Sequence, residues 1–421
     1  MDGSKRTFNF AYYDQTIRAE IPEDNLVETI SAAPAEPLNN IEEETLKVLA
    51  EPIGTKPFDQ LVRTKDKVLI AVPDNTRRTD LAPVLSALLS ALGRLGYGPG
   101  RVSIIVAGGT HRAMSDTELE EQWGTAMTNK YEFLRHDWNN SSALVNRGRS
   151  KLGIPLEFNR ELFKGKLLIG LGTVKPHPVA GWSGGAKIIL PGLSGKTTTD
   201  HLHWAAAAYP VESIFGQEEN PVRLEMEETV NEIGLDLVIN AIENKNGDIV
   251  SLAAGNFVEA HRFLVEKARS VPLLDLPLEQ ADAMIVGGGI DRPELWEAVA
   301  GLYVANLLLR EGGTLILLAA CPDGVACEHP AVLEWGYRPY NEIKDLVTKN
   351  KITDLTAASH MALVGDIISR KKYRVILVSA GINRKQTDLL GLLYAEDLDQ
   401  ALEHVWQELG AQAKILAYER I

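Results

Sequence analysis

Residues 175–203 read KPHPVAGWSGGAKIILPGLSGKTTTDHLH, a stretch that places His177, Lys187, His201 and His203 around a run of glycines. Gly181, Gly184, Gly185, Gly192 and Gly195 add nothing to a core, and glycine weakens helices and strands alike. It persists where the backbone must approach a partner closely or take positive φ. Imidazoles, an amine and a glycine-rich loop together suit an anionic ligand. His203 can bind a metal through one nitrogen, although a single histidine is a weak metal signal because protein-only sites use three or four ligands. Lys187 can contact phosphate or act as a nucleophile, and the competing reading is a solvated loop lysine.

Three further clusters follow apolar, β-branched runs. Pro73–Asp80 reads PDNTRRTD: Asp74, Asn75 and Thr76 can turn the chain and cap a helix, while Arg77 or Arg78 can grip a carboxylate or phosphate as a bidentate fork, the competing reading being a helix cap with exposed arginines. Gly108–Arg112 reads GGTHR and projects His111 from a glycine turn, a position for a general acid or base. Gly287–Gly301 reads GGGIDRPELWEAVAG, where three glycines either present amides to an anion or make a tight turn. The last is not G-x-G-x-x-G, so a dinucleotide site is poorly supported. His136, His261, His329, His360 and His404 carry no local signature and read as structural.

The elements that must hold these residues alternate. Strands are expected at Val68–Val72, Val102–Ala107, Leu167–Leu171, Asp236–Ala241, Ala283–Val286, Thr314–Ala319, Arg374–Ser379 and Lys414–Tyr418. Helical patterns fall at Leu81–Leu95, Asn220–Ile233, Phe257–Ala268, Pro293–Arg310 and Leu398–Leu409. This alternation predicts an α/β fold of two domains with mainly parallel sheets and an active-site cleft between them. The boundary is expected near the proline-punctuated segment 272–280. It gives residues 1–275 as the domain with the histidines and the lysine, possibly rejoined by 410–421, and 276–409 as the second domain.

Composition narrows the class. The chain has 421 residues, 45% of them hydrophobic, and a net charge of −14, which argues against a nucleic-acid or anionic-membrane surface. Cys321 and Cys327 form no C-x-x-C, so buried structural thiols in a reducing compartment are expected rather than a disulfide framework or zinc cluster. The N-terminus has no apolar signal region, and no window reaches the ~18 apolar residues of a membrane span. A cytoplasmic location is expected.

Taken together, the ordered clusters resemble the nickel-pincer lactate racemase family. The pattern D-x-T-R is met by Asp74-Asn75-Thr76-Arg77, and G-T-H-R by Gly109-Thr110-His111-Arg112. The long motif H-P-x-x-G-x-S-G-G-x-K-x-x-L-P-G is met by His177 through Gly192, and His203 stands sixteen residues past Lys187. The resemblance spans most of the chain. It implies a nickel-pincer nucleotide (a pyridinium mononucleotide with two sulfur-bearing arms) joined to Lys187 through a thioamide, with His203 as the nickel ligand. It further implies Arg77 on the substrate carboxylate, His111 and His177 as the acid/base pair, and Asp74, Thr76, Gly109, Ser183, Gly184 and Gly185 around the cofactor. Trp296 and Glu297 would face the substrate. The implied reaction inverts a 2-hydroxy acid through a 2-oxo acid, with cofactor-maturation enzymes as partners and an apo form where those are absent.

One departure bears on the substrate. Lactate-specific members carry an aromatic, then Gln, then Lys three positions further; here the run is Trp296, Glu297, Ala298, Val299, Ala300. Ala300 replaces the cation, which weakens the case for lactate. Glu297 can accept hydrogen bonds from hydroxyl groups and would repel a second carboxylate, so a polyhydroxylated acid such as an aldonate is expected. A non-catalytic binder of an organic anion would need Arg77 and the glycine loop but not both His111 and His177. A nicotinamide-dependent dehydrogenase lacks its glycine fingerprint.

Overall fold

Short runs such as Val68–Val72, buried at every position, can only be interior strands, since both faces are apolar. In the computed structural model, which describes residues 4–30, 35–76, 79–271, 276–289 and 292–419, they assemble into two parallel sheets. The larger has the order Ile249–Gly255, Leu237–Glu243, Leu167–Thr173, Val68–Val72, Val102–Val106, Glu132–Arg135. All its pairings are parallel except the first, where Leu237–Glu243 returns as an antiparallel hairpin through Ile249–Gly255. The smaller runs Leu393–Ala395, Arg374–Val378, Leu309–Leu318, Ala281–Gly287, Ile415–Tyr418, parallel throughout.

The expected α/β class therefore holds, but the domain boundaries need correction. The chain divides into Ala32–Leu274 and a unit made of Met1–Ser31 with Asp275–Ile421. The N-terminal residues belong with the second sheet because Lys5–Tyr12 and Gln15–Pro22 form a hairpin with one apolar face. Its Phe8, Phe10, Ala19 and Ile21 pack with Ile285, Ile316 and Ile376. Residues 410–421 do not rejoin the first domain either: Ile415–Tyr418 pairs with Ala283–Val286 in the smaller sheet. The expected boundary segment falls partly on residues 272–275, which lie outside the described residues. The expected helix Pro293–Arg310 is two pieces, Leu295–Ala298 and Gly301–Leu308, and Arg310 already belongs to the next strand.

Strand order decides where chemistry can occur in each unit. In the larger sheet the chain goes one way from Val68–Val72 to its neighbours Val102–Val106 and Glu132–Arg135, then crosses to Leu167–Thr173 on the other side. The carboxyl ends of Val68–Val72 and Leu167–Thr173 thus flank a topological switch point, the crevice where open α/β sheets hold ligands. The equivalent crevice of the smaller sheet, between Ala281–Gly287 and Ile415–Tyr418, is filled by protein. A side chain at Gly287 would strike the Glu419 carbonyl and the Ala11 backbone, and the Ala11 amide donates to the Glu419 carbonyl at 2.8 Å. The glycines at 287 and 288 therefore let backbones approach, and the amide of Gly288 is used on the Leu318 carbonyl at 2.7 Å. At Gly287 and Gly288 the motif thus serves close backbone packing; Ile290 and Asp291, where the chain continues, lie outside the described residues.

Candidate active site

Asp74, His111 and His177 leave the sheet from three neighbouring parallel strands at one edge. Asp74 is buried, and its carboxylate is shared. One oxygen faces His111 Nδ1 at 2.7 Å, and the other accepts from the Thr76 hydroxyl at 2.6 Å. Asp74 was expected at the cofactor; in this geometry its first partner is the catalytic candidate His111. Gly108 keeps that approach open, since a Cβ there would lie 3.2 Å from the carboxylate. The His111 carbonyl accepts from the Trp138 indole at 3.0 Å, and the Gly109 amide donates to the Gly192 carbonyl at 2.9 Å. That last bond ties the His111 loop to the turn following Lys187. Arg112 is engaged with Glu118, whose carboxyl it holds well below the usual carboxylate range. Arg77 and Arg78 lie outside the described residues.

His177 sits on a two-residue hairpin, Pro176–His177 with Gly181–Trp182. Its Nδ1 accepts from the amides of Val179 and Ala180 at 3.1 and 3.2 Å. The Ser183 hydroxyl latches this hairpin to the strand end, donating to the Thr173 carbonyl at 2.6 Å and accepting from the Lys175 amide at 2.9 Å. The glycine pair that follows is built for close packing. Gly185 has φ +58°, and a Cβ there would meet the Phe257 carbonyl and the His261 ring. Its amide donates to Asn240 at 2.8 Å. Lys187 is half-buried in a turn whose other residues are buried.

His203 lies in the helix Lys196–Ala207, one turn past Thr199, whose carbonyl accepts from Nδ1 at 2.8 Å. That bond places the lone pair on Nε2, the arrangement of a metal-binding imidazole oriented by a backbone partner. Burial, opposed by that bond, moves its pKa down to about 4, and the nearby charges of Lys187 and His111 push the same way. His111, Lys187 and His203 are therefore within electrostatic reach of one another. His201 points elsewhere and bonds the Thr197 carbonyl. Among the described residues no three His, Cys, Asp or Glu side chains gather to hold a metal. A metal at His203 would need most of its ligands from a bound group. A neutral imidazole within electrostatic reach of the half-buried Lys187 amine would suit a bound group that brings its own metal ligands.

Sequence reading missed the supports. Arg223 is fully buried and donates to the carbonyls of Ala180, Trp182 and Gly184, drawing the whole hairpin and glycine turn onto the helix Pro221–Ile233. Asn240 supports Gly185 from below. Neither carries a motif; an arginine in an otherwise apolar helical stripe was the available signal.

In the other unit, Trp296 stacks between His329 and His360, with centroids 4.4 and 3.9 Å away. Glu297 is exposed. His329 faces Asp354 at 2.6 Å, and the shielded His360 Nε2 has no partner among the described residues. His136 and His261 are structural, bonding the carbonyls of Ser194 and Ser183. Of the two thiols, both free, Cys321 is buried and pushed up to about 12 by burial, whereas Cys327 is exposed, contrary to expectation.

Burial lowers the pKa of His136, His261 and His360, the last to about 3. These groups bind protons in the unfolded chain, near pH 6.5, well before they do so in the folded one. Stability is then unaffected above that range and falls as pH drops through it. The urea midpoint at pH 5 is expected below that at pH 7.5; equal midpoints would count against neutral buried histidines.

The chain matches the model of the lactate racemase N-terminal domain over residues 12–213 and that of the lactate racemase C-terminal domain over residues 280–419. It is 27% identical to the lactate racemase of Lactiplantibacillus plantarum over 96% of both chains. It is 26% identical to that of Thermoanaerobacterium thermosaccharolyticum over 93% of this chain and 92% of the relative. The fold is that of the lactate racemase apoprotein from Thermoanaerobacterium thermosaccharolyticum, with a TM-score of 0.83 at 22% identity, covering 99% and 98% of the two chains. A protein from Thermotoga maritima gives a TM-score of 0.68, also at 22% identity, over 92% of this chain and all of that one. No described helix is long and apolar enough to cross a membrane.

Proposed function

Because the chain belongs to the lactate racemase family, and so is an isomerase acting on a 2-hydroxy acid, we propose that it works with a nickel-pincer nucleotide carried on Lys187. The observation that carries this reading is His203: a neutral imidazole with its lone pair on Nε2, within electrostatic reach of Lys187 and His111. When bound, that cofactor supplies a reversible hydride acceptor for C2 of the substrate, which passes through a 2-oxo acid. The chain supplies the rest. Arg77, next to Thr76, grips the carboxylate as a bidentate fork. His111 takes or returns the hydroxyl proton on one side, with its ring oriented by Asp74; His177 serves the other. Inversion at one carbon needs a group on each side of the substrate. Gly109, Gly184 and Gly185, with Thr76 and Ser183, shape the turns that would hold the nucleotide.

For the substrate we propose a polyhydroxylated 2-hydroxy acid of the aldonate type. Ala300 stands where lactate-specific members place a lysine, and the exposed Glu297 beside Trp296 accepts hydroxyl hydrogens while repelling a second carboxylate. Two measurements test the proposal. Co-expression with cofactor-building enzymes should give a mass increment mapped to Lys187 and bound nickel in proportion, both lost in Lys187→Ala. The loaded enzyme should then racemise or epimerise aldonates faster than lactate. No adduct beside a working positive control would overturn the cofactor assignment; malate turning over faster than any sugar acid would overturn the substrate.

A further inference from the structure

The two acid/base histidines are held by opposite kinds of partner. His111 Nδ1 faces a carboxylate, an acceptor only, at 2.7 Å. Nδ1 must therefore carry the proton, and Nε2 carries the lone pair. His177 Nδ1 faces two backbone amides, donors only, at 3.1 and 3.2 Å. There Nδ1 must carry the lone pair, and Nε2 the proton. From this we infer that the pair rests in opposite tautomers, with His111 as the base of the resting enzyme and His177 as a hydrogen-bond donor. Asp74 and the Val179–Ala180 turn are the positioning groups that set the difference. The inference rests on the proposed function for its catalytic meaning, but not for its test.

The consequence is directional. When a substrate hydroxyl faces His111, its O–H bond breaks, an N–H bond forms at Nε2, and the imidazolium that results lies against the Asp74 carboxylate. When the hydroxyl faces His177, Nε2–H can only donate a hydrogen bond to it. Acting as a base there would require the proton to move to Nδ1, and acting as an acid would require an imidazolium; each puts a hydrogen on Nδ1 against the two amides. The substrate isomer facing His177 thus reacts only after the ring gives up its Val179 and Ala180 contacts. Both histidines transfer protons, but only one is ready to accept one at rest.

The full-length apoprotein, labelled with 15N-histidine, tests this directly at pH 8. Two-bond 1H–15N correlations separate a protonated ring nitrogen from an unprotonated one and Nδ1 from Nε2. His111→Asn and His177→Asn assign the signals by disappearance. The expected spectrum shows Nδ1 protonated in His111 and Nε2 protonated in His177. Asp74→Asn should shift the His111 nitrogens towards mixed tautomers and leave those of His177 in place. The same tautomer at both positions, or a protonated Nδ1 in His177, would overturn the inference, and so would a His111 signal indifferent to Asp74→Asn. The wild-type spectrum suffices should that variant not fold. Absence of racemase activity in loaded protein would overturn the functional reading and leave the tautomers standing.

Discussion

Arg223→Met is expected to lower unfolding stability by about 3–5 kcal/mol, the range for breaking a buried ionic network by removing one partner. The side chain is fully buried, and the guanidinium donates to the carbonyls of Ala180, Trp182 and Gly184. Methionine fills much of the volume but donates nothing, so these carbonyls lose a charged donor where water does not reach. Glu227, 4.0 Å from the Arg223 guanidinium, loses that cation and keeps its bidentate contact with Arg262 at 2.9 Å. Burial already moves the guanidinium down to about 10 and Glu227 up, so neither charge is cheaply held alone. The damage has a functional side: Ala180 accepts from Arg223 through its carbonyl, and its amide donates to His177 Nδ1. Urea unfolding measures the loss. A cost below about 1 kcal/mol would mean that the loop finds other donors and that Arg223 is not its clamp.

How much of this was legible beforehand differs by element. Interior strands such as Val68–Val72 and Leu167–Thr173 declare themselves because they are short runs with hardly a polar residue, buried at every position, and the residues after them are the ones whose types suggest chemistry. The N-terminal hairpin was equally legible in principle, since Phe8 and Phe10 alternate with Thr7 and Asn9, but its membership in the second unit was not. That depends on a long-range pairing, which no local pattern encodes. The break in the helix at Val299–Ala300 also escaped notice, because the apolar periodicity runs on through it. Motif residues were found by their types, and their partners were not. Nothing in PDNTRRTD says that Asp74 serves His111, since the contact crosses between two adjacent strands. The glycines of GGGIDRP were ambiguous for a related reason: amides aimed at an anion and amides pressed against Ala11 look alike in one dimension.

Replacing His111 or His177 by alanine separates catalysis from binding. Each variant of the loaded enzyme should lose about 10²–10⁴ in turnover, the contribution of a positioned acid or base. Substrate affinity should change little, because the carboxylate grip assigned to Arg77 is untouched. The adduct proposed at Lys187 should persist in both, since neither imidazole lies in the turn Gly185–Ile188. His111→Ala should also take one hydrogen-bond partner from the buried Asp74 carboxylate, so its folding stability should fall as well. His177→Ala frees two backbone amides on a half-buried hairpin and should cost less stability. The two variants therefore differ in unfolding midpoint while agreeing in lost turnover. A binder of an organic anion predicts another pattern, with ligand affinity tracking the midpoint and no turnover in the parent protein to lose. Unchanged turnover in either variant would remove that histidine from the mechanism and assign its side of the substrate to another group.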